Sequence, residues 1–326
     1  MCAVWSEVVR KTAYCLWCAP GSILGPILFI LYVNDIISSV NSSKILLYAD
    51  DTVLLYSGKS VSDIINVLTE DLNSITNWFL QNKLHLNTKK CKWTLFGSKR
   101  RLNRVTLPHI SIQNEEIEHV TSYKYLGVHL DQNLNFEEHV DKICSKVRQR
   151  LGVLRRVRGF VNQETALMLY NALVMPLIDY CDVTYSLCTK KCIKKVDKLM
   201  LKGGKIVLGV PFDTPGITVL EKLKWMSFQE RSTFHKCMQM YKCLHKMTPE
   251  YLGLRFKKID HGYNTRQSNL NLKVIKCGTS MGQRAFTYDG AVLWNSLPAE
   301  MKDCSSLNIF KNKLLIHILN SRHFTL

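Results

Sequence analysis

The stretch that most constrains the fold is residues 44–58, KILLYADDTVLLYSG. Two short apolar runs, residues 45–47 and 53–55, flank the tetrapeptide Ala49-Asp50-Asp51-Thr52. Continuous apolar runs of this length predict two strands that are buried on both faces and joined by a tight turn. The turn then carries two adjacent carboxylates, Asp50 and Asp51, which repel each other and are costly to remove from water.

Two interpretations of this acidic turn are open. A divalent cation that bridges Asp50 and Asp51 relieves both the repulsion and the desolvation cost. Two metal ions held in this way can activate a primer hydroxyl and stabilise a leaving pyrophosphate. The alternative is a solvated Asp-Asp turn that binds nothing.

The bulk composition restricts the class of protein. With 326 residues, 46% hydrophobic and 21% charged, the chain is predicted to be globular, with two or three domains. The net charge of +18 favours a polyanionic partner, and nucleic acid is the leading candidate. No signal peptide is evident, and the longest apolar run, residues 23–33, is interrupted and too short to span a bilayer. We therefore expect no membrane association and an intracellular location, nuclear or cytoplasmic.

The twelve cysteines are predicted to be reduced and structural. None of their close groups has a second pair at a standard zinc-binding spacing. A zinc site built from Cys237, Cys243 and His245 is the alternative.

Three sequence blocks carry a family resemblance. They are GSILGPILF from Gly21 and Ser22, YVND from Tyr32, and YADD from Tyr48. In residue type and in spacing, these blocks resemble the central palm of a reverse transcriptase, in particular the LINE-type (non-LTR) enzymes of jockey-like retrotransposons. The resemblance covers roughly residues 20–320 and is most specific between Gly21 and Asp131.

The resemblance implies an RNA-directed DNA polymerase that binds an RNA template and a DNA primer. It implies Mg²⁺ as the metal and no small-molecule cofactor beyond the deoxynucleoside triphosphate. Asp50 and Asp51 would hold the metal as catalytic residues, and Lys90, in the segment LHLNTKKC, would neutralise or protonate the leaving pyrophosphate. The residues implied to contact the nucleotide are Gly21, Ser22, Tyr48 and Ala49. The implied primer grip is a turn at Leu126-Gly127.

Basic residues concentrate in two regions. Residues 73–113 contain no acid and eight Lys or Arg side chains, and from Asn135 an apolar stripe at helical spacing has basic residues on its other faces. A nuclear address at residues 99–101 and a membrane- or partner-binding helix are alternatives. After a palm, the helix is better interpreted as a thumb that follows a template–primer backbone. The predicted backbone contacts are Lys99, Arg100, Arg101, Lys146, Arg150, Arg155, Arg156 and Arg158.

The predicted fold class is α+β: a partial polymerase palm, consisting of an antiparallel sheet with packed helices, then a mainly helical thumb and a C-terminal extension. The predicted domains are an atypical N-terminal segment (1–20), the partial palm (21–131), the thumb (132–210) and an extension of unknown role (211–326). A palm helix is predicted over residues 62–79 with Ser62 as a possible cap, and Trp294 is predicted to anchor a core.

The chain departs from the family before Gly21. A complete enzyme of this family has a third metal-binding aspartate on an earlier palm strand. Residues 1–20 contain one acid, Glu7, in surroundings that do not resemble that strand. The fingers subdomain is missing, and Ala19-Pro20 replaces the usual Pro-Gln. We therefore expect an N-terminally truncated, inactive polymerase; the alternatives are a non-catalytic nucleic-acid-binding remnant and a non-functional translated fragment.

Overall fold

The structure is a computed structural model that describes residues 2–9, 23–259 and 270–321. It divides into two compact units, Met1–Leu134 (unit 1) and Asn135–Leu326 (unit 2). Among the described residues, the strands belong to unit 1 and unit 2 is mainly helical. The mixture of helices and small sheets agrees with an α+β fold, whereas the subdivision into palm, thumb and extension at the predicted boundaries stays a prediction.

Unit 1 combines short strands with one long helix. Its elements are β1 (Cys2–Val9), α1 (Gly25–Val33), a 3₁₀ turn (Asn34–Ser39), β2 (Lys44–Tyr48), β3 (Asp51–Tyr56), α2 (Val61–Gln81), β4 (His85–Leu86), a 3₁₀ turn (Thr88–Lys90), β5 (Lys92–Leu95), α3 (Lys99–Leu102), β6 (Ser111–Ile112), β7 (Glu115–Glu116), β8 (Glu118–His119), β9 (Ser122–Tyr125) and β10 (Val128–Asp131).

The principal sheet has the strand order β2-β3-β1-β5-β8, and β4 pairs with the end of β1. β1 runs antiparallel to β3, with Trp5 opposite Val53 and Glu7 opposite Asp51. The sequence predicts an atypical segment over residues 1–20, whereas the structure pairs Cys2–Val9 into this sheet as β1. The stretch gives no periodic signal of its own, because its partners lie more than forty residues further along the chain.

β3 is covered on both faces, as predicted. Leu54 and Tyr56 face the core that α2 builds, whereas Val53 and Leu55 pack with Phe96. Residues of the β9–β10 hairpin complete this second cluster, namely Tyr123, Tyr125 and Leu130.

β2 differs from the prediction of two fully buried strands. It lies at the edge of the sheet, its burial alternates from residue to residue, and Leu46 keeps 45% of its surface exposed. Its apolar sequence could not reveal this, since an edge strand and a central strand can share the same run of residues.

The helix α2 begins at a serine cap, but two residues earlier than expected. The backbone N–H of Asp63 donates to the Ser60 hydroxyl at 3.0 Å, so Ser60 rather than Ser62 is the N-cap. Leu68, Leu72 and Ile75 then present the apolar side of the helix to the sheet.

Asp71 is a buried carboxylate of α2, only 2% exposed, that holds the turn before β2. Backbone N–H groups of Asn41, Ser42 and Ser43 donate to its oxygens at 3.0, 3.4 and 2.7 Å. Burial acts to raise the pKa of Asp71, but hydrogen bonding from Ser43, Asn41 and Ser42 outweighs it and lowers the pKa below its usual range.

We expect Asp71→Asn to destabilise unit 1 by about 1–3 kcal/mol at neutral pH, because an amide replaces the charged acceptor. A lowered folded pKa means that this contribution is present above the unfolded pKa, near pH 4, and is lost as the pH falls through the folded pKa. Urea unfolding from pH 7 to pH 3, with hydrogen exchange of α2 peptides to identify unit 1, should show the gap between wild type and variant closing. Glu70→Gln, on the exposed side of α2, is the control. A gap that does not change with pH contradicts the assignment.

Unit 2 is a set of packed helices. They are α4 (Glu137–Val157), a 3₁₀ turn (Arg158–Phe160), α5 (Gln163–Leu173), α6 (Met175–Asp179), α7 (Asp182–Tyr185), α8 (Lys190–Leu208), α9 (Gly216–Leu223), α10 (Phe228–Leu244), α11 (Glu250–Gly253), α12 (Ser280–Gln283), α13 (Phe286–Ser296), α14 (Ala299–Lys302) and α15 (Leu307–Ser321).

The apolar stripe predicted for α4 is confirmed. Val140, Ile143, Val147, Leu151 and Leu154 are all buried. A second core joins α10, α13 and α15. It contains Trp294, which is buried and donates its indole N–H to the Leu270 carbonyl at 3.0 Å, confirming its prediction as a core anchor. In the described parts of the chain, no helix combines the length and the apolar character needed to cross a membrane.

Candidate functional site

The acidic turn is a two-residue hairpin loop, Ala49-Asp50, between the paired residues Tyr48 and Asp51. Ala49 has φ +50°, whereas Asp50 does not have a positive φ. A positive φ at the first central residue alone is the pattern of a type II′ hairpin turn. Asp50 is consequently exposed at the tip, and Asp51 begins β3 in a half-buried position.

The sheet register brings a third acidic residue to this turn. Glu7 in β1 lies directly opposite Asp51 in β3. The two acids are therefore neighbours on adjacent strands. The sequence pattern did not predict this position for Glu7, although the β-compatible run Ala3-Val4-Trp5 that precedes it indicates a strand.

The hairpin that carries the predicted primer-grip turn packs on the face of the sheet that contains Val53 and Leu55 of β3. Leu126 and Gly127 form the two-residue loop of the β9–β10 hairpin with φ values of +44° and +84°, which matches a type I′ turn. The residue before the loop, Tyr125, is close enough to Asp51 for the two to interact. Burial, and secondarily the negative charge of Asp51, raise the pKa of the Tyr125 phenol. The turn itself is therefore confirmed, and its hairpin is brought to the face that carries Asp51.

Lys90 is exposed and ends the 3₁₀ turn that follows β4. Because β4 pairs with Val8 and Val9, this segment lies at the end of β1 that contains Glu7. Tyr48, which precedes the acidic turn, and Ala49, its first residue, are both exposed. Gly21 and Ser22, the other predicted nucleotide contacts, lie outside the described residues.

The predicted backbone-binding residues fall on exposed helical surfaces, with one exception. Lys99, Arg100 and Arg101 are exposed on α3 of unit 1. The exposed members on α4 of unit 2 are Lys146, Arg150, Arg155 and Arg156.

Arg158 is the exception, because its side chain is half-buried and donates hydrogen bonds to backbone carbonyl groups. Its Nε donates to the carbonyls of Ile206 and Val207, both at 3.1 Å, and its Nη1 donates to Val161 at 2.9 Å. These contacts cap the C-terminal end of α8, where the Ile206 carbonyl also accepts from the Gly209 N–H at 3.2 Å. Arg158 thus has a structural role in unit 2.

Potential metal ligands also meet at one place in unit 2. Among the residues whose side chains the structure describes, one group of three converges: Asp179, Asp182 and His235, with ligand atoms within 4.8 Å of one another. Arg231 donates from Nε and Nη2 to both oxygens of Asp179 at 2.5 Å, and His235 Nδ1 lies 2.6 Å from Asp182 Oδ2. A metal ion there would compete with a bidentate guanidinium, so the geometry favours an ion-paired contact between α10 and the α6–α7 segment.

The alternative zinc site does not form in the described structure. Cys237 and Cys243 are buried thiols, and burial raises the pKa of Cys237 to about 12. His245 Nδ1 lies 2.9 Å from the carbonyl of Tyr241 in its own helix. All nine cysteines whose side chains the structure describes are free, and seven of them are buried.

The known proteins to which this chain is similar are consistent with one another in family. A model described as reverse transcriptase (RNA-dependent DNA polymerase) matches residues 6–130. This range includes Glu7, the acidic turn and the β9–β10 loop. No solved structure is significantly similar to the chain.

The relatives are polymerases of mobile elements. The RNA-directed DNA polymerase from mobile element jockey of Drosophila melanogaster is 27% identical over 202 residues, which are 59% of this chain and 22% of that protein. The probable RNA-directed DNA polymerase from transposon X-element of the same fly is 25% identical over 211 residues, 63% of this chain and 23% of that protein. A Pol polyprotein from the retrotransposable element R1 2 of Nasonia vitripennis is 27% identical over 172 residues, 50% of this chain and 42% of that protein.

The chain spans about a fifth of the length of the jockey and X-element relatives. The segment that matches the family model contains the acidic turn and the strands that position it. Residues 6–130 are therefore similar to the reverse transcriptase family, and the relatives that share this similarity are polymerases of non-LTR retrotransposons.

Proposed function

We propose that this chain is part of an RNA-directed DNA polymerase, and that unit 1 holds its metal-binding acids. Asp50 and Asp51 are the two acids of the turn, and Glu7 takes the third acidic position. The observation that carries the proposal is the register between β1 and β3, in which Glu7 lies opposite Asp51. The family model begins at residue 6, so its match includes Glu7 together with the acidic turn.

The residues at the turn suit a hard divalent cation such as Mg²⁺, which prefers carboxylate oxygens. When bound, the ion would supply Lewis-acid stabilisation of the phosphates and a lower pKa for the attacking hydroxyl. The protein would do the positioning. The β9–β10 hairpin would hold the primer end beside Asp51, and Lys90 would balance charge on the leaving pyrophosphate.

The pairing of β1 with β3 also affects the expectation that this chain is an inactive polymerase. That expectation rested partly on the absence of a third acid, and Glu7 in β1 supports a site that has one. The absence of a fingers subdomain stays a prediction, and catalysis by this chain is decided by experiment.

The experiment is primer extension by the full chain on an RNA template with Mg²⁺, comparing wild type, Glu7→Gln and Glu7→Asp. Removing one preorganised charge from such a site lowers the rate by about 10²–10³-fold, so Glu7→Gln should lose extension to that extent. Glu7→Asp, which keeps the carboxylate, should retain most of it. Mn²⁺ binding, followed by electron paramagnetic resonance, gives a second readout that does not need catalysis. If Glu7→Gln matches wild type in both measurements, Glu7 is not part of the site.

A non-catalytic nucleic-acid-binding protein is the second candidate. The exposed basic residues of α3 and α4 favour it, because they need no catalytic site to neutralise phosphates. Normal Mn²⁺ binding and salt-dependent hybrid binding, without incorporation above an Asp50→Asn/Asp51→Asn variant, would identify this outcome.

A further inference from the structure

A row of lysines runs along the outer side of α8 in unit 2. Lys191, Lys194, Lys198, Lys202 and Lys205 follow one another at steps of three and four residues, which places them on one side of the helix. At about 1.5 Å per residue, the row is about 21 Å long. The opposite side of α8 is buried, through residues such as Val196, Met200 and Val207.

One acid lies beside the row. Asp197, the one acidic residue of α8, lines an open space together with Lys191, Lys194 and Lys198, and it accepts a hydrogen bond from the backbone N–H of Phe228 at 2.7 Å. Against the five lysines, this one carboxylate leaves a strong excess of positive charge. Such a surface attracts a polyanion rather than an ordinary protein partner with mixed charges.

An exposed aromatic ring lies beside this row. Phe212, in the loop after α8, keeps 48% of its surface exposed. The Arg155 guanidinium carbon lies 5.5 Å from the ring centroid, and Lys202 Nζ lies 5.7 Å from it. Lys205 Nζ donates to the Phe212 carbonyl at 2.8 Å, which fixes the loop. Two cations and a hydrogen bond thus hold an apolar ring in a position where it meets solvent.

The ring and three lysines of the row line one open groove. Its lining includes Arg155, Lys198, Leu201, Lys202, Lys205 and Phe212. Positive charge that follows a backbone, together with an aromatic platform for a base, is the combination that binds single strands without sequence preference. A duplex would use the positive charge but not the aromatic platform, because its bases are already stacked on one another.

We propose that this groove binds single-stranded nucleic acid, with phosphates along the lysine row of α8 and one base stacked on Phe212. The site is carried by unit 2 alone. It therefore does not depend on metal binding or catalysis at the acidic turn of unit 1.

The test is fluorescence anisotropy of the full chain with a labelled twelve-nucleotide oligoadenylate RNA. Loss of one stacked base weakens binding by roughly 5- to 100-fold, which we expect for Phe212→Ala, whereas Phe212→Tyr should bind like wild type. Lys198→Gln/Lys202→Gln should reduce the slope of log affinity against log salt by about 1.4, since each phosphate that a lysine neutralises on a single strand adds about 0.7 to the slope. Lys276→Gln/Lys311→Gln, which removes two exposed lysines elsewhere in unit 2, is the matched control and should leave the slope nearly unchanged.

An abasic strand of the same length separates stacking from charge. Phe212→Ala should bind it as wild type does, because it offers no base to stack. An oligodeoxyadenylate should bind about as tightly as the RNA, since neither stacking nor phosphate contact uses the 2′-hydroxyl.

Four results would overturn the proposal. They are an unchanged affinity of Phe212→Ala for oligoadenylate, an equal loss for the abasic strand, a marked preference for RNA over DNA, and tighter binding to phosphatidylserine vesicles than to either strand. Circular dichroism melting of each variant confirms that it folds, as expected for substitutions at exposed positions.

Discussion

Asp50→Asn should lower Mg²⁺-dependent primer extension by about 10³-fold or more, the largest effect expected for any single substitution in this chain. Asparagine keeps the shape of the side chain but removes the negative charge at the tip of the β2–β3 turn. Loss of about 4 kcal/mol of transition-state stabilisation corresponds to a factor of about 10³. Because Asp50 is exposed at a loop position, the folded structure should not change, and circular dichroism should confirm this.

The measurement is single-turnover extension of a DNA primer on an RNA template, with Asp63→Asn as the matched control. Asp63 is an exposed carboxylate of the same unit, in the first turn of α2. Mn²⁺ binding should weaken in Asp50→Asn and stay unchanged in Asp63→Asn. Equal extension by Asp50→Asn and wild type would remove the acidic turn from the mechanism.

Phe310→Ala should destabilise unit 2 by about 3–5 kcal/mol, the range for deleting a fully buried aromatic side chain. Phe310 in α15 is 0% exposed, stacks on Tyr241 of α10 at 4.6 Å between ring centroids, and lies 5.9 Å from the ring of Trp294. Removing the ring leaves a cavity at the point where three helices of the C-terminal core meet. It also removes the aromatic pair with Tyr241.

Hydrogen exchange of peptides from α10 and α15 measures this effect within unit 2. Protection in both helices should fall together, because one core supports both. Phe160→Ala is the control, since Phe160 is 90% exposed and its removal should change stability by no more than about 0.5 kcal/mol. Equal protection in the two variants would show that α15 does not contribute to the core as the structure indicates.

Local sequence signals predicted the parts of the fold that depend on short-range order. The stripe of α4 from Val140 to Leu154 has a strong helical period, and Leu126-Gly127 carries the glycine that a tight hairpin loop requires. The turn at Asp50 follows from two apolar runs separated by polar residues. In each case the deciding contacts lie within a few residues of one another.

The misses have a different origin, since each depends on partners that are distant in sequence. The position of Glu7 comes from pairing with a strand about forty-four residues later, and the contacts of Arg158 come from the end of a helix nearly fifty residues away. The exposed face of β2 arises because the cluster that covers this face of β3 includes no residue of β2. Composition and periodicity carry no information on such pairings.

The central place of β1 also affects the order in which unit 1 can fold during synthesis. β1 leaves the ribosome before its neighbours β3 and β5, and Cys2 pairs with Leu95. The β2–β3 hairpin and α2 can form from nearby residues, whereas the sheet is completed only when β5 has emerged. Pairings of such long sequence separation slow folding. Until β5 has emerged, β1 presents unpaired backbone groups to other chains and to chaperones. The amount of folded protein in a cell should therefore depend on how quickly the residues up to β5 are synthesised.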